Sequence, residues 1–204
     1  MRAVKGYAEA TAMNFNASQR LPAGGYVLKI IGVREENYSW GDVIVLAFDI
    51  DEGEYKGFFR SQFDNMPAEY RKWKGTYRLN VPKLNGTTEN DKEKYKRSIS
   101  YYKAQIQAFE QSNSISICCS EEWNTEALRG KLVGAVFCNK EWEMNGRTGW
   151  FTNCDHLVSV SDIREGKFKV PADKPLKNKE TQKPDDNSEL NEFEEILSED
   201  DLPF

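Results

Sequence analysis

Two stretches decide the fold class of this 204-residue chain: GYVLKIIGVRE at residues 25–35 and VIVLAFDI at residues 43–50. The first alternates between apolar and other residues, and the second is apolar at nearly every position, as in a more buried strand. The residues between them, Asn37–Asp42, include turn-forming residues and two aromatics. We therefore predict two neighbouring strands joined by a loop that carries Tyr38 and Trp40.

A third strand is predicted near residues 57–63, and residues 76–81 form a further extended segment. A helix follows, with Asn90 as its N-cap and Glu93 as the capping-box partner three residues later. Its apolar residues recur at spacings of four, three, four and three. These spacings place them on one stripe of the helix that faces the core: Tyr95, Ile99, Tyr102, Ile106 and Phe109.

After this helix, the sequence pattern predicts a short helix at Trp123–Leu128 and two more strands, Lys131–Glu143 and Gly149–Val160. The Asn-Gly pair in the linking segment Met144–Thr148 is a strong hairpin signal. The resulting order predicts a mainly β protein with one long helix, in the form of an OB-fold β-barrel. Such barrels bind oligonucleotides over strands 2 and 3 and at the 1–2 and 4–5 loops. Other small barrels share parts of this order, so they remain alternatives.

The net charge of −5 argues at first against a nucleic-acid partner, because the negative phosphate backbone binds positively charged protein surfaces. The charge is divided, however, between residues 1–170 at +2 and residues 171–204 at −7. Residues 55–102 hold eleven Lys or Arg, five Asp or Glu and ten aromatics, most densely in EYRKWKGTYR at residues 69–78. Aromatic faces stack on bases and cations bind phosphates, so this mixture of residues favours binding of single-stranded nucleic acid. A core strand with solvated lysines is the alternative.

Under the OB assignment, aromatic and basic side chains from several segments converge on one binding face. They are the predicted DNA-binding residues: Tyr38, Trp40, Phe58, Arg60, Arg71, Lys72, Trp73, Lys74, Tyr77, Arg78, Trp142, Arg147 and Trp150.

The composition changes near Pro171, where a polar, proline-punctuated stretch begins. Such a stretch buries too little apolar surface to fold. We therefore predict a DNA-binding domain at residues 1–170, a disordered acidic linker at 171–198 and a protein-interaction tip at 199–204.

The tip reads EDDLPF and resembles the C-terminus of bacterial and phage single-stranded DNA-binding (SSB) proteins. The match lies at Asp200, Asp201, Leu202, Pro203 and Phe204. The resemblance implies an OB domain, a disordered linker and a tip that binds replication, recombination or repair proteins. A partner with an apolar pocket and a basic rim would hold the terminal ring and carboxylate together. A solubilising tail that ends in phenylalanine by chance is the alternative.

Three body segments look like a family of phage-encoded replication-module proteins of Gram-positive bacteria: RLPAGGYVLKI at residues 20–30, YYKAQIQAFEQSN at 101–113 and ALRGKLVGAVF at 127–137. The long helix and the insertion at residues 65–92 depart from the compact SSB domain. For that reason the resemblance assigns no individual DNA contact.

Catalytic motifs for phosphate binding or HExxH zinc chemistry do not occur in the sequence. The acidic group Asp49, Asp51 and Glu52 would bind a metal if the protein were a nuclease. The spacing of Cys138, Cys154 and His156 matches no common zinc finger. We expect a non-enzymatic SSB protein without cofactor or metal; a protein-binding adaptor and a metal-dependent nuclease are the alternatives.

The sequence contains neither an apolar run of about 18 residues nor a signal-peptide pattern. We expect a cytoplasmic protein, in the bacterial host if phage-encoded, with reduced cysteines and no membrane partner. The number of subunits stays open, a homo-oligomer included. We also hypothesise that the acidic tail competes with DNA for the basic body, an effect that salt would weaken.

Overall fold

The computed structural model describes residues 20–117, 119, 121–144 and 146–176. Within these residues it confirms a mainly β architecture with one long helix: five strands form an antiparallel sheet in the order β3-β2-β1-β4-β5. The strands are β1 (Gly24–Tyr38), β2 (Gly41–Ile50), β3 (Thr76–Asn80), β4 (Leu132–Met144) and β5 (Arg147–Val158). The helices are α1 (Phe58–Asn65), α2 (Glu89–Asn113) and α3 (Val160–Arg164), with 3₁₀ turns at Ala68–Tyr70 and Thr125–Leu128.

The core lies on one face of this sheet. Alternate residues of β2, among them Leu46 and Phe48, pack there with Leu28 of β1, Phe137 of β4 and Phe109 of α2. All five are at most 1% exposed. The prediction that β2 is the more buried of the first two strands is therefore confirmed.

The predicted strand at residues 57–63 is wrong, because this segment forms α1. Gly57 takes the left-handed conformation (φ 73°) immediately before the helix. The Asp49 carboxylate accepts hydrogen bonds from the amides of Phe59 (3.0 Å) and Arg60 (3.2 Å). A carboxylate at this position satisfies free amides of the first helical turn and complements the helix dipole. The third strand of the sheet is instead the extended segment predicted at residues 76–81.

The predicted N-cap of helix α2, Asn90 with Glu93, is wrong, because the cap lies two residues earlier, at Thr88. Asp91 completes the capping box: Asp91 N donates to Thr88 Oγ1 (3.1 Å), and Thr88 N donates to Asp91 Oδ2 (3.0 Å). The predicted apolar stripe faces the core only in its C-terminal part, where Tyr102, Ile106 and Phe109 are buried, whereas Ile99 is 40% exposed.

Gln105 on α2 joins the two edges of the sheet. Its Oε1 accepts hydrogen bonds from the Tyr77 hydroxyl on β3 (3.1 Å) and from the Leu157 amide on β5 (2.8 Å). The Tyr101 hydroxyl lies 3.1 Å from that of Tyr77 and donates to the Asp155 carbonyl (3.3 Å). Side chains of α2 thus connect β3 and β5 at the position where a closed barrel would pair them.

The hairpin predicted near Asn145-Gly146 is confirmed, since Met144 pairs with Arg147 across the β4–β5 turn. Beyond Phe137, which pairs with Gly24 at the start of β1, β4 has another neighbour. The Lys174 amide donates to the Asn139 carbonyl, and the Glu141 amide donates to the Lys174 carbonyl, both at 2.9 Å. Residues 173–176 thus follow the predicted domain boundary near Pro171 and still contact the sheet. The rest of the predicted linker, residues 177–198, and the whole tip lie outside the described residues.

Candidate nucleic-acid interface

On the face of β1–β2–β3 opposite the core, charged side chains of β1 and β3 lie beside two valines of β2, Val43 and Val45. In one row across the three strands, Arg34 pairs with Val45 and Val45 pairs with Arg78. In the next row Glu36 pairs with Val43. Val43 (1% exposed) and Val45 (7% exposed) are buried although they face away from the core. Because long arginine stems cover apolar surface beside them, we attribute the burial of Val45 to its two arginine neighbours.

Glu36 is the centre of a hydrogen-bond network on this face. Its Oε1 accepts from Arg34, and its Oε2 accepts from the Tyr38 hydroxyl and from Arg78 Nη2 (3.2 Å). The Tyr38 hydrogen bond, followed by Arg34 and Arg78, lowers the pKa of the Glu36 carboxyl. The same hydrogen bond raises the pKa of Tyr38. The face therefore holds an ionised carboxylate between two guanidinium groups.

An exposed aromatic pair lies at the tip of the β1–β2 hairpin. The rings of Tyr38 and Trp40 stack with centroids 5.1 Å apart and planes 7° apart, and each residue is 37% exposed. Asn85, in the segment before α2, donates from Nδ2 to the Trp40 carbonyl (3.0 Å). The two predicted loop aromatics thus form one platform, next to the Glu36 network.

A second aromatic–cation group lies at the other end of β2. Trp73 Nε1 donates to the carbonyls of Phe48 (3.2 Å) and Gly75 (3.0 Å), which fixes the indole against the core edge. The Arg60 guanidinium lies 5.6 Å from the centroid of the Trp73 ring, a cation–π distance. A Cβ on Gly75 would come within 2.4 Å of the Phe48 carbonyl oxygen, so this close approach requires glycine.

Other predicted residues of this region have different surroundings. Arg71 is exposed, donates from Nε to the Met66 carbonyl (3.1 Å) and lies 5.8 Å from the ring centroid of Phe63. Lys72 is exposed and Lys74 is half-buried. Phe58 is half-buried and packs edge-on against Phe59, with ring centroids 5.2 Å apart.

Tyr77, another of the predicted DNA-binding residues, is buried beneath α2. It is 8% exposed and its hydroxyl is held inside by Gln105 and Tyr101. Burial raises the pKa of Tyr77 well above its usual value. Its neighbour Arg78 points to the opposite face, as adjacent residues of a strand do.

The remaining three predicted residues lie on the β4–β5 hairpin. Trp142 pairs with Gly149, where a Cβ would come within 2.8 Å of the indole, while Arg147 and Trp150 are exposed. Because β4 runs antiparallel to β1, the tips of the two hairpins lie at opposite ends of β1. The predicted set is thus divided among three places: the first hairpin tip with Arg78, the α1–β3 segment at the other end of β2, and the β4–β5 hairpin.

Sequence reasoning missed Arg34 and Glu36, which lie upstream of the basic–aromatic window at residues 55–102. A usable signal was present: Arg34, Glu36 and Tyr38 are spaced two apart, and alternate residues of a strand share one face.

The alternative metal sites have other contacts in the structure. Asp49 binds the amides at the start of α1, and Glu52 pairs with Arg164. Cys154 is buried in the core, and the His156 ring lies 2.7 Å from the Asp155 carboxylate. Within the described ranges, no group of three or more His, Cys, Asp or Glu residues is placed to hold a metal ion.

No protein-family model and no curated protein matches the chain. The helices of the described part include none that is long and apolar enough to cross a membrane.

Proposed function

We propose that the chain is a non-enzymatic single-stranded DNA-binding protein with an OB-like body and a protein-recruiting acidic tip. The observation that carries the proposal is the β1–β2–β3 face, which combines the stacked Tyr38–Trp40 platform with the guanidinium groups of Arg34 and Arg78. Stacking platforms beside cations are the means by which proteins bind single strands with little sequence preference.

The strand order supports an OB-like barrel. The central strand β1 pairs with both β2 and β4, and the long helix lies between β3 and β4 in sequence. OB-folds are partly open five-stranded barrels that bind oligonucleotides on the strand 2–3 side. Opening such a barrel between β3 and β5 gives the observed order, and Gln105 of α2 joins the two strands at that opening.

The layout along β2 suggests a path for single-stranded DNA. Tyr38 and Trp40 lie at one end of the face opposite the core, and the two arginines follow in its middle. A base would stack on the Tyr38–Trp40 pair, and phosphates would meet the arginines. Trp73, at the far end of β2, packs against the core cluster instead.

Titration of the full-length protein into labelled oligo(dT) tests the DNA-binding proposal, with a duplex of the same length as control. We expect salt-sensitive binding that favours the single strand. Binding that ignores salt, or equal affinity for the duplex, would contradict the proposal. Nuclease protection of the single strand separates it from the adaptor alternative, and magnesium-dependent cleavage would indicate the nuclease instead.

Recruitment through the tip is tested separately, because the tip lies outside the described residues. Removing Phe204 takes away the ring and shifts the terminal carboxylate to Pro203, so we expect pull-down of replication or repair proteins to be lost. Oligo(dT) affinity should stay nearly unchanged. Undiminished pull-down would show that the tip is not the anchor.

A further inference from the structure

The position of Glu36 is unexpected for a nucleic-acid interface. A carboxylate on the binding face repels phosphate and partly cancels the two arginines beside it. Its side chain is only 18% exposed, while those of Arg34 and Arg78 are 68% and 34% exposed. The Arg34 guanidinium is mostly exposed, and an ion pair with such a partner contributes little to stability.

The donors around Glu36 have the chemistry of an anion site. Two guanidinium groups and one phenol hydroxyl converge on the two oxygens of one carboxylate. Arg34 lies on β1 and Arg78 lies on β3, so the sheet register fixes their separation across Val45. The two non-bridging oxygens of a phosphodiester accept hydrogen bonds from the same kind of donor set.

The neighbouring platform determines which phosphate could enter. Tyr38 is both a donor to Glu36 and one of the two stacked rings at the hairpin tip. A base that stacks on this pair therefore brings its own backbone close to the Glu36 network. Single strands can offer base and phosphate together, whereas an intact duplex keeps its base faces stacked inside.

We propose that Glu36 occupies a phosphate subsite in the free protein and is displaced from Arg34, Arg78 and Tyr38 when a single strand binds. The inference rests on the proposed function and adds a role for one residue. The carboxylate competes with every anion, so it lowers affinity for phosphate alone. A single strand that also stacks on Trp40 gains the additional binding energy that overcomes this competition.

The test compares Glu36→Gln with Glu143→Gln in the full-length protein. Glu143 is exposed on the β4–β5 hairpin, so both variants remove one negative charge, but only E36Q removes it from the network with Arg34 and Arg78. We expect E36Q to bind oligo(dT) about fivefold more tightly at low salt, with its log–log salt slope steeper by about 0.7. E143Q should change neither property.

Equal or weaker oligo(dT) binding by E36Q, relative to E143Q, would overturn the inference while leaving the proposed function in place. Failure of the unmodified protein to bind oligo(dT) would overturn the proposed function itself. The variant Glu36→Asp keeps the charge and controls for disturbance of the hairpin: we expect no gain in affinity, and a gain equal to that of E36Q would contradict the charge argument.

Discussion

At the scale of single residues, Gln105 shows how a polar side chain can hold a β-sheet edge. It is 2% exposed, and its one carbonyl oxygen serves a hydroxyl on β3 and an amide on β5. Buried polar groups need such partners, because an unsatisfied donor costs about 1–3 kcal/mol. Gln105 therefore stabilises the arrangement that keeps β3 and β5 on either side of α2.

Replacing Gln105 with leucine removes the acceptor but keeps much of the volume. We expect the free energy of unfolding to fall by about 1–3 kcal/mol, because the Leu157 amide and the Tyr77 hydroxyl lose their shared partner. Chemical denaturation of the variant measures the loss. The control is Gln107→Leu, an exposed position on the same helix; equal losses in both variants would argue against the bridge.

At the scale of elements, the two long hairpins differ in what they carry. The β1–β2 hairpin joins an aromatic platform to the Arg34–Glu36–Arg78 network, whereas the β4–β5 hairpin lies at the opposite end of β1. The latter also holds residues 173–176 along β4. The arrangement favours DNA binding at the first hairpin and a connection toward the acidic tail at the second.

A pair of tryptophan substitutions tests this division. Trp40→Ala removes half of the stacked platform, so we expect single-strand affinity to fall by about 1–3 kcal/mol, the value of one stacked base. Trp150→Ala removes an equally exposed ring from the other hairpin (39% against 37%) and should have little effect. Titration of both variants with oligo(dT) measures the two affinities. A larger loss for Trp150→Ala would move the interface to the β4–β5 hairpin.

Asp155 connects residues 173–176 to β5. Its carboxylate lies 2.7 Å from His156 Nδ1 and 3.0 Å from Lys174 Nζ, and these partners, His156 first, hold the pKa of Asp155 well below its usual value. A lowered pKa means that the ionised form stabilises the fold above the unfolded-state pKa of about 4. This stabilisation is lost as the pH falls from there toward the lower native value.

We expect Asp155→Asn to lower the free energy of unfolding by about 1–3 kcal/mol near neutral pH, since hydrogen bonds to a charged group are lost. The difference from the unmodified protein should shrink as the pH falls below about 4. Denaturation at several pH values measures it, with the exposed Asp64→Asn as control. A difference that stays constant with pH would show that ionisation of Asp155 is not its source.

At the scale of the whole molecule, charge is the organising feature. Residues 1–170 carry +2 and residues 171–204 carry −7, so the chain joins a weakly basic body to a strongly acidic segment. Opposite charges within one chain attract each other at low ionic strength, and about 0.1 M salt limits this attraction to roughly 10 Å. The acidic segment can therefore compete with DNA phosphates for the arginines of the proposed interface.

Deleting residues 185–204, which contain nine acidic residues and no basic ones, should tighten oligo(dT) binding at low salt. The gain should fade as salt is added, because screening removes the competition. Titrations of both chains over a range of salt concentrations measure the effect. Unchanged or weaker binding by the shortened chain would count against competition by the tail.

Local patterns in the sequence were enough for the parts of the fold that short-range physics decides. The alternation in β1, the apolar run of β2 and the Asn-Gly signal predicted two hairpins correctly. Among the site residues, the aromatics of the first hairpin were predicted, and the structure places Tyr38 and Trp40 in contact.

Only the tertiary structure decided the features that depend on residues far apart in the chain. The helix at Phe58–Asn65 is capped by Asp49 of β2, which accepts hydrogen bonds from the amides of Phe59 and Arg60, and the inward face of β3 placed Tyr77 under α2. Arg34 and Arg78 meet through Glu36 because β2 aligns their strands. The sequence determines the hydrophobicity and charge at each position. Strand register and helix docking, which depend on contacts between distant residues, determine which side chains share a surface.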